Sequence, residues 1–525
     1  MTSGKPEENI DSNDNVTAIE QPISETLYEN FMPYAMSVIV SRAIPEIDGF
    51  KPAHRKLLYT MYLMNLMSGP RAKSADVVGQ TMKLNPHGDQ TIYETMVRLT
   101  RGNKSLLHPW IDSKGNFGDV TSRDMQYAAS RYTEVRLEPS CETLFSGLSK
   151  DAVDFVDNYS GTMKEPVLLP AMFPTILVNN NQGIAVGMAS NICSFNLKEI
   201  CETTIALIRD PEADLLETLP APDFSTGGYL IYDADEMREI YRTGRGSFQL
   251  RGAADINRKE KIIEIREIPY TTTIEAIIDD ITDAVKKNKL RDVVNVRDET
   301  DLNGLCISVE YKSTADPDIL LHQLFTQTSL QSSFSCNFNV LIDNRPRLLG
   351  VREILNEWIE WRCECIRREA IYDIGKKGER LHLLRGLERI LLDIDKAIAV
   401  IRLTETEKEV VPRLMNAFDI DEIQAEYVAE IKLRHLNREY ILKRIGDIET
   451  LEREIAELER LVRGKGRLRD KIIRQLKEIS NKYGRERKTR LIAPEEIDVP
   501  EEEDLVPDYN TRLFLSEQGY VKKIA

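Results

Sequence analysis

The sequence predicts a multidomain α+β protein, in which a helix-turn-helix unit of winged-helix type leads into a mixed α/β unit and then into a long antiparallel coiled coil with a helical knob. Three observations carry that expectation. At 525 residues the chain exceeds what one apolar core fills and divides into about three or four units. Between residues 74 and 101 two short helical patterns are joined by the turn Asn85-Pro86-His87-Gly88-Asp89. No proline occurs between Pro346 and Pro412, or between Pro412 and Pro494, so long helices can run through both stretches.

Taken in order, the chain opens on a polar, acidic tail of about 25 residues with few large apolar side chains, expected to stay disordered. Order begins near Tyr28-Glu29-Asn30-Phe31, and Tyr34 to Ala43 reads as a buried helix or a helix leading into a strand, from which Arg42 projects a charge. The turn-rich bend from Pro45 to Pro52 delivers Lys51, His54 and Arg55 close together, ahead of an amphipathic helix from Lys56 to Met64. Cations at a helix start oppose the helix dipole, a conflict that an incoming phosphate removes. Ser74 to Leu84 and Gln90 to Arg101 are the two short helices, with Asp89 as the expected cap of the second, which would enter a DNA groove. Trp110 to Val120, with Gly115 and Gly118, is the strand-and-turn wing.

From about 155 to 345 short strands such as Lys261 to Ile265 and Leu305 to Val309 alternate with helices such as Ile274 to Lys287. Beyond it, one helix is expected from Val351 to Leu403 and its return from Arg438 to about Tyr483. On the return, Ile441, Ile445, Ile448, Leu451, Ile455, Leu458 and Val462 alternate spacings of four and three with one extra three, coiled-coil spacing with a stammer. Glu405 to His435 forms a helical knob between the two. The acidic stretch from Pro494 to Pro507 reads as a linker, and Thr511 to Lys523 as strand-turn-strand.

Composition narrows the class. With 42% hydrophobic and 30% charged residues and no apolar run near membrane-span length, the chain reads as soluble. Residues 1–21 lack a signal-peptide pattern, so a cytoplasmic location is expected. Seven scattered cysteines without metal-ligand spacing read as reduced thiols, and no metal site is expected in this chain. The net charge of −16 argues against nucleic acid, yet Ser41 to Ser140 holds 14 Lys/Arg against 10 Asp/Glu, a local positive surplus.

The candidate for chemistry is Tyr132. A phenol of ordinary pKa about 10 is a poor nucleophile at neutral pH, so attack on a phosphodiester needs positive charge beside it. Arg131 supplies charge that cannot titrate away and a guanidinium that can fork onto phosphate oxygens. On the dipeptide alone, a surface arginine beside a half-buried ring is the simpler account.

Ala129-Ser130-Arg131-Tyr132-Thr133-Glu134-Val135-Arg136-Leu137 resembles the active-site motif of the A subunits of bacterial type IIA DNA topoisomerases, the breakage-reunion subunits of gyrase and topoisomerase IV. Tyr34 to Val40, Asp48 to Lys56, Pro86-His87-Gly88-Asp89 and Gly183 to Ala189 agree in order and spacing, as do Tyr241 to Gly246 and Thr328 to Gln331. The likeness covers roughly residues 30 to 490.

The resemblance implies a division into a tail (1–27), a winged-helix catalytic domain (28–155), a tower domain (156–345), a coiled coil with a C-gate dimerisation knob (346–493), and an acidic linker with the start of a C-terminal β-pinwheel (494–525). It implies an ATP-dependent type II topoisomerase, gyrase or topoisomerase IV alike, that makes a transient double-strand break through a 5′-phosphotyrosyl link at Tyr132. Arg131, His87 and Lys51 would stabilise the reacting phosphate; Arg42, His54, Arg55 and Asn85 would hold DNA, and Ile184 would wedge between base pairs. On the residues alone, His87 is a turn histidine bonded to backbone and Ile184 a core side chain. Double-stranded DNA, a second copy of the chain and a B subunit in an A2B2 complex are the implied partners. Mg²⁺ and ATP are both implied on the B subunit, and the location is nucleoid-associated. Asn85 stands where relatives carry a histidine, and Gln90 where they carry a serine that, with the acid matched by Glu94, anchors quinolone drugs. The rival classes are a DNA-bridging protein with a structural Tyr132 and a protein-binding coiled-coil scaffold.

Overall fold

The helix-turn-helix region folds as three helices, Pro52–Leu63, Ser74–Thr81 and Asp89–Leu99, against a three-stranded antiparallel sheet in which Glu134–Leu137 lies between Ala72–Lys73 and Ile111–Lys114. This computed structural model describes residues 22–301, 303–391, 393–432, 438–497 and 511–524 of a mixed α+β, multidomain chain. Pro52 sits in the first helical turn, where a missing N–H costs nothing and φ is already set. Leu57, Leu58 and Met61 fill the space between this helix and its neighbours. At the second turn Gly88, not Asp89, occupies the cap position. Asp89 is the first helical residue and accepts from the Gln90 N–H at 2.9 Å, so its charge still faces the positive end of the dipole.

Ahead of these helices, Ile23 to Ala43 is one helical run, with wider π turns over Leu27–Phe31 and Ile39–Ala43. It starts five residues before Tyr28, and most of its side chains are exposed rather than buried as expected; only Ala35, Ile39 and Ala43 are enclosed.

The middle of the chain forms two sheets. Six strands run in the order Arg490–Ile492, Tyr229–Ile231, Arg245–Arg251, Gln331–Asn337, Ala189–Ile192, Asn181–Ile184. Four more, Ala253–Asn257, Ile262–Glu267, Ile307–Tyr311 and Val293–Asp298, form an antiparallel sheet whose alternating Ile263, Ile265, Ile307 and Val309 face the helices Ile274–Lys286 and Pro317–Gln327. The first strand of the larger sheet differs from expectation. Residues 484–492 leave the helix pair, and Arg490–Ile492 pairs parallel with Tyr229–Ile231 while Asp223 accepts from the Thr489 N–H at 2.8 Å.

The helix Val351–Leu391 packs against the returning Arg438–Arg463, and ion pairs such as Arg385–Glu452 at 2.8 Å fix the opposed directions. Neither helix runs as long as expected. Outbound, Asp393 caps a separate helix Ile394–Arg402 by accepting from the Lys396 N–H at 3.1 Å. On the return Gly464 is extended, and the helix restarts at Lys465–Tyr483. Of the apolar series on the return, Ile448 and Leu451 are buried and Ile445 is exposed. Glu407–Phe418 and Glu422–Ala429 make the expected helical knob and share a core of Leu384, Leu387, Leu414 and Ala425 with the long helices. Arg512–Leu515 and Val521–Ile524 pair as the expected hairpin. The tail to residue 21, the linker over 498–510, His435 and the side chain of Ile441 lie outside the described residues.

One apolar core joins the three helices, the six-stranded sheet, and the base of the helix pair through Trp358, Ile366, Leu468 and Leu476. Arg362 is fully buried there, its Nη1 3.2 Å from the Glu369 carboxylate and 3.3 Å from the Pro170 carbonyl. Removing one partner of a buried pair leaves the other charge uncompensated. Glu369→Ala is therefore expected to cost about 3–5 kcal/mol, read as a lowered urea midpoint, whereas an unchanged midpoint would show that the guanidinium is solvated.

Candidate functional site

The site is built on the bend at Asp48-Gly49-Phe50-Lys51. Gly49 has φ +79°, and a Cβ there would lie 2.6 Å from the Ile176 nitrogen, so only glycine lets the bend meet the neighbouring chain. The fully buried Asp48 carboxylate accepts from Arg55 Nε at 2.8 Å and Nη2 at 3.0 Å, from the Phe50 N–H at 3.2 Å and from the Leu169 N–H at 2.9 Å. Arg55 also reaches Glu46 at 3.2 Å. Burial opposes the Arg55 charge, but the Asp48 and Glu46 carboxylates outweigh it and raise its pKa. The same burial pushes Glu46 up to about 7. The expectation that Arg55 holds DNA is corrected, because its guanidinium is buried and spent on two acids. Asn85 is corrected likewise, being only 6% exposed inside the turn, where its backbone carbonyl accepts from the His87 N–H at 2.8 Å.

Lys51 sits at the mouth of the bend as the N-cap residue of the Pro52–Leu63 helix. Its Nζ donates to the Gln182 carbonyl at 2.5 Å, and Asn181 Nδ2 donates to the Gly49 carbonyl at 3.2 Å. These bonds dock the hairpin Asn181–Ile192 onto the bend. A Cβ on Gly183 would lie 2.0 Å from the Ala43 carbonyl oxygen, so the hairpin also touches the end of the N-terminal helical run beside exposed Arg42. Ile184, at the hairpin tip, is 81% exposed and not a core residue. The structure thus brings Arg42, Lys51 and Ile184 to one corner. Burial lowers the Lys51 amine to about 8, helped by the positive Arg98. His54 is held neutral, down to about 3, by burial and then by Lys51, Arg98 and Arg55.

Tyr132 lies on the loop entering the Glu134–Leu137 strand, and a buried network holds that loop. Tyr93 Oη donates to the Ala128 carbonyl at 2.7 Å and lies 3.0 Å from Thr133 Oγ1, which donates to Ser74 Oγ at 2.7 Å. The Ala75 N–H bonds the Ser130 carbonyl at 3.2 Å. Against this rigid base Tyr132 is 66% exposed, with the exposed Arg131 guanidinium 4.9 Å from its ring centre. No hydrogen bond engages the Tyr132 hydroxyl among the described residues, and within one chain nothing joins it to Lys51 or to exposed His87. Gln90 Nε2 donates to Glu94 Oε1 and to Tyr127 Oη, both at 2.9 Å.

Sequence reasoning assigns no role to Asp48, Tyr93, Ser74 or Gln182. Asp48 stands inside a recognised block, but its partners at Arg55 and Leu169 are visible only after folding. Tyr93 lies on the apolar face with Ile92, Met96 and Val97, where a core residue and a loop anchor look alike. Among the described residues no group of three or more His, Cys, Asp or Glu is placed to hold a metal ion. No described helix is long and apolar enough to cross a membrane, and all seven cysteines are free and buried.

The lowered Lys51 pKa gives a direct test. Its neutral amine accumulates as pH rises through about 8, whereas an ordinary lysine titrates near about 10.4. Low-dose acylation followed by peptide mass spectrometry is expected to show Lys51 reactivity levelling off above about pH 9 while surface lysines keep rising. A Lys51 profile that tracks the surface lysines would refute the shift.

Residues 42–477 match the family described as the A subunit of DNA gyrase/topoisomerase IV. The chain is 38% identical over 515 residues to a probable chloroplastic/mitochondrial DNA gyrase A subunit of Oryza sativa subsp. japonica, covering 94% of this chain and 54% of that protein. It is 37% identical over 511 residues to the DNA gyrase A subunit of Halalkalibacterium halodurans, covering 96% and 60%. With the DNA gyrase A subunit of Clostridium acetobutylicum it shares 38% over 514 residues, covering 96% and 61%. The chain spans between 54% and 61% of the length of these relatives. On the family match and on these identities, the chain belongs to the family of DNA gyrase and topoisomerase IV A subunits.

Proposed function

We propose that this chain is the breakage-reunion part of a type II DNA topoisomerase and that Tyr132 is its nucleophile. The observation that carries the reading is an exposed tyrosine whose hydroxyl has no hydrogen-bond partner among the described residues and whose ring carries the exposed Arg131 guanidinium, on a loop locked from beneath by Tyr93, Thr133 and Ser74. Such a base suits a group that must meet a phosphate in line, since positioning and charge supply most of the rate in phosphoryl transfer.

In this reading the Tyr132 oxygen attacks a backbone phosphorus, a new P–O bond forms to tyrosine, and the bond from phosphorus to the 3′ oxygen breaks. The phenol proton is lost and the departing 3′ oxygen gains one, leaving a 5′-phosphotyrosyl link and a free 3′-hydroxyl. Bond energy is conserved, so resealing is the reverse step. Arg131, His87 and Lys51 stabilise the phosphate, Arg42 and His54 line its approach, and Ile184 wedges the duplex at the hairpin tip, where an apolar side chain can unstack a base step. The three helices and their small sheet serve as a winged helix, the two larger sheets as a tower, and the helix pair with its knob as a coiled coil closing a two-fold dimer. Mg²⁺ and ATP are assigned to a B subunit in an A2B2 complex, and the work is done on double-stranded DNA in the cytoplasm, at the nucleoid.

The test mixes the chain with a B subunit, Mg²⁺ and supercoiled plasmid, stops with detergent and digests with protease. Linear DNA carrying protein at its 5′ ends is expected with the wild type and absent with Tyr132→Phe. If both proteins bind DNA and neither forms an adduct, the chain is a DNA-bridging protein instead.

The same assay reads the drug site. Gln90 and Tyr127 both engage the Glu94 carboxylate, at 2.9 and 3.3 Å, leaving it less free to anchor a water-metal bridge. Gln90→Ser is therefore expected to increase quinolone-stabilised cleavage at a fixed drug concentration. Equal cleavage in the two proteins would show that Gln90 does not restrain the acid.

A further inference from the structure

The helix Asp89–Leu99 carries Gln90, Glu94 and Arg98 four residues apart, one above another on its exposed face. Glu94 is the natural partner for Arg98 at that spacing, yet its carboxylate is taken by Gln90 Nε2 and Tyr127 Oη. Arg98 has no carboxylate partner among the described residues. Its backbone is well fixed: Ser105 Oγ donates to the Arg98 carbonyl at 2.6 Å, and Tyr270 Oη donates to the Ser105 carbonyl at 3.1 Å. The helix therefore ends in a firmly based, exposed, uncompensated cation.

The same Tyr270 Oη lies 2.8 Å from Asn180 Oδ1, two residues before Gln182, whose carbonyl takes the Lys51 amine, so the base of Arg98 and Lys51 meet the same chain segment. The Arg98 charge acts accordingly on Lys51 and His54 at the start of the Pro52–Leu63 helix, and on Tyr127 and Tyr270. Of the basic groups at this corner, Arg55 is neutralised by Asp48 and Glu46 and His54 carries no proton at neutral pH. Arg42, Lys51 and Arg98 remain as cations at this corner, none of them paired with an acid among the described residues. Such an arrangement is unfavourable in the free protein and is relieved by a bound anion.

We propose that Arg98 is a further DNA contact of this site, gripping a backbone phosphate of duplex DNA next to the one approached by Lys51. The inference rests on the breakage-reunion reading for its ligand and adds a positioning residue to it. Arg98 holds the strand, so that Tyr132 meets its phosphate, and takes no part in bond making. A plain structural account competes with this one, because an arginine in the last turn of a helix is favoured by the dipole alone.

Binding of a fluorescent duplex by the full chain, measured by anisotropy across a salt series, separates the two. Each phosphate contact contributes about 0.9 to the slope of log K against log salt. Arg98→Gln is expected to flatten the slope by about that amount with the melting temperature unchanged, and Arg98→Lys to restore the slope. A wild-type slope in Arg98→Gln overturns the proposal, and so does a lowered melting temperature shared by both variants without a change of slope. Tyr132→Phe keeps the wild-type slope and loses the adduct. Failure of the wild type to form any adduct would overturn the breakage-reunion reading alone, since the salt slope reports Arg98 independently.

Discussion

A buried carboxylate that accepts four hydrogen bonds organises this molecule. Asp48 receives two from Arg55 and one each from the Phe50 and Leu169 backbones, in surroundings with no access to water. A charge so placed is tolerated only when its lone pairs are occupied and a counter-charge lies alongside. Those demands fix the bend at Gly49, which fixes the start of the Pro52–Leu63 helix and the place of Lys51. Through Lys51 and Asn181 they also fix the hairpin bearing Ile184. A single ion pair thereby sets the relative positions of a cation and an apolar tip that lie about 130 residues apart in the chain.

The second organising contact is weaker in charge and just as restrictive. Tyr93, Thr133 and Ser74 bring three hydroxyls together beneath the Tyr132 loop, with Tyr93 donating to the Ala128 carbonyl and Thr133 to Ser74. Such networks rigidify what they hold. Tyr132 can be widely exposed and still keep its direction, because the residue after it is fully buried. Exposure and order usually oppose each other in a loop, and here they are divided between adjacent residues.

Much of this is legible in the sequence, for identifiable reasons. The two short helices, the strands at Ile262–Glu267 and Ile307–Tyr311, the knob helices and the terminal hairpin all follow from local periodicity and turn residues. Tyr132, Arg131 and Lys51 stand out from motif alone; the first two are exposed in the structure and Lys51 is half-buried at the mouth of the bend. What sequence hides is non-local. Arg55 and Asn85 have the right chemistry for phosphate, but acids at Glu46 and Asp48 bury the first and the turn encloses the second. Arg490–Ile492 reads with the helices before it because nothing local points to Tyr229–Ile231, its partner far upstream. Gly464 is visible as a glycine, yet the apolar spacing leading up to it and the absence of proline beyond it imply a continuous helix and mask the break.

That break has a mechanical meaning. The outbound helix Val351–Leu391 is one 41-residue rod, about 60 Å long at about 1.5 Å per residue, while the return is jointed at Gly464. A stiff strut beside a hinged one behaves as a lever with a built-in pivot: the rod resists compression and the joint absorbs the change in path length when it tilts. Turning the rod by about 10° about its base carries its far end about 10 Å, and the knob travels with it. A tilt of a few degrees at the core around Trp358 is thus amplified by leverage alone at the knob end of the rod.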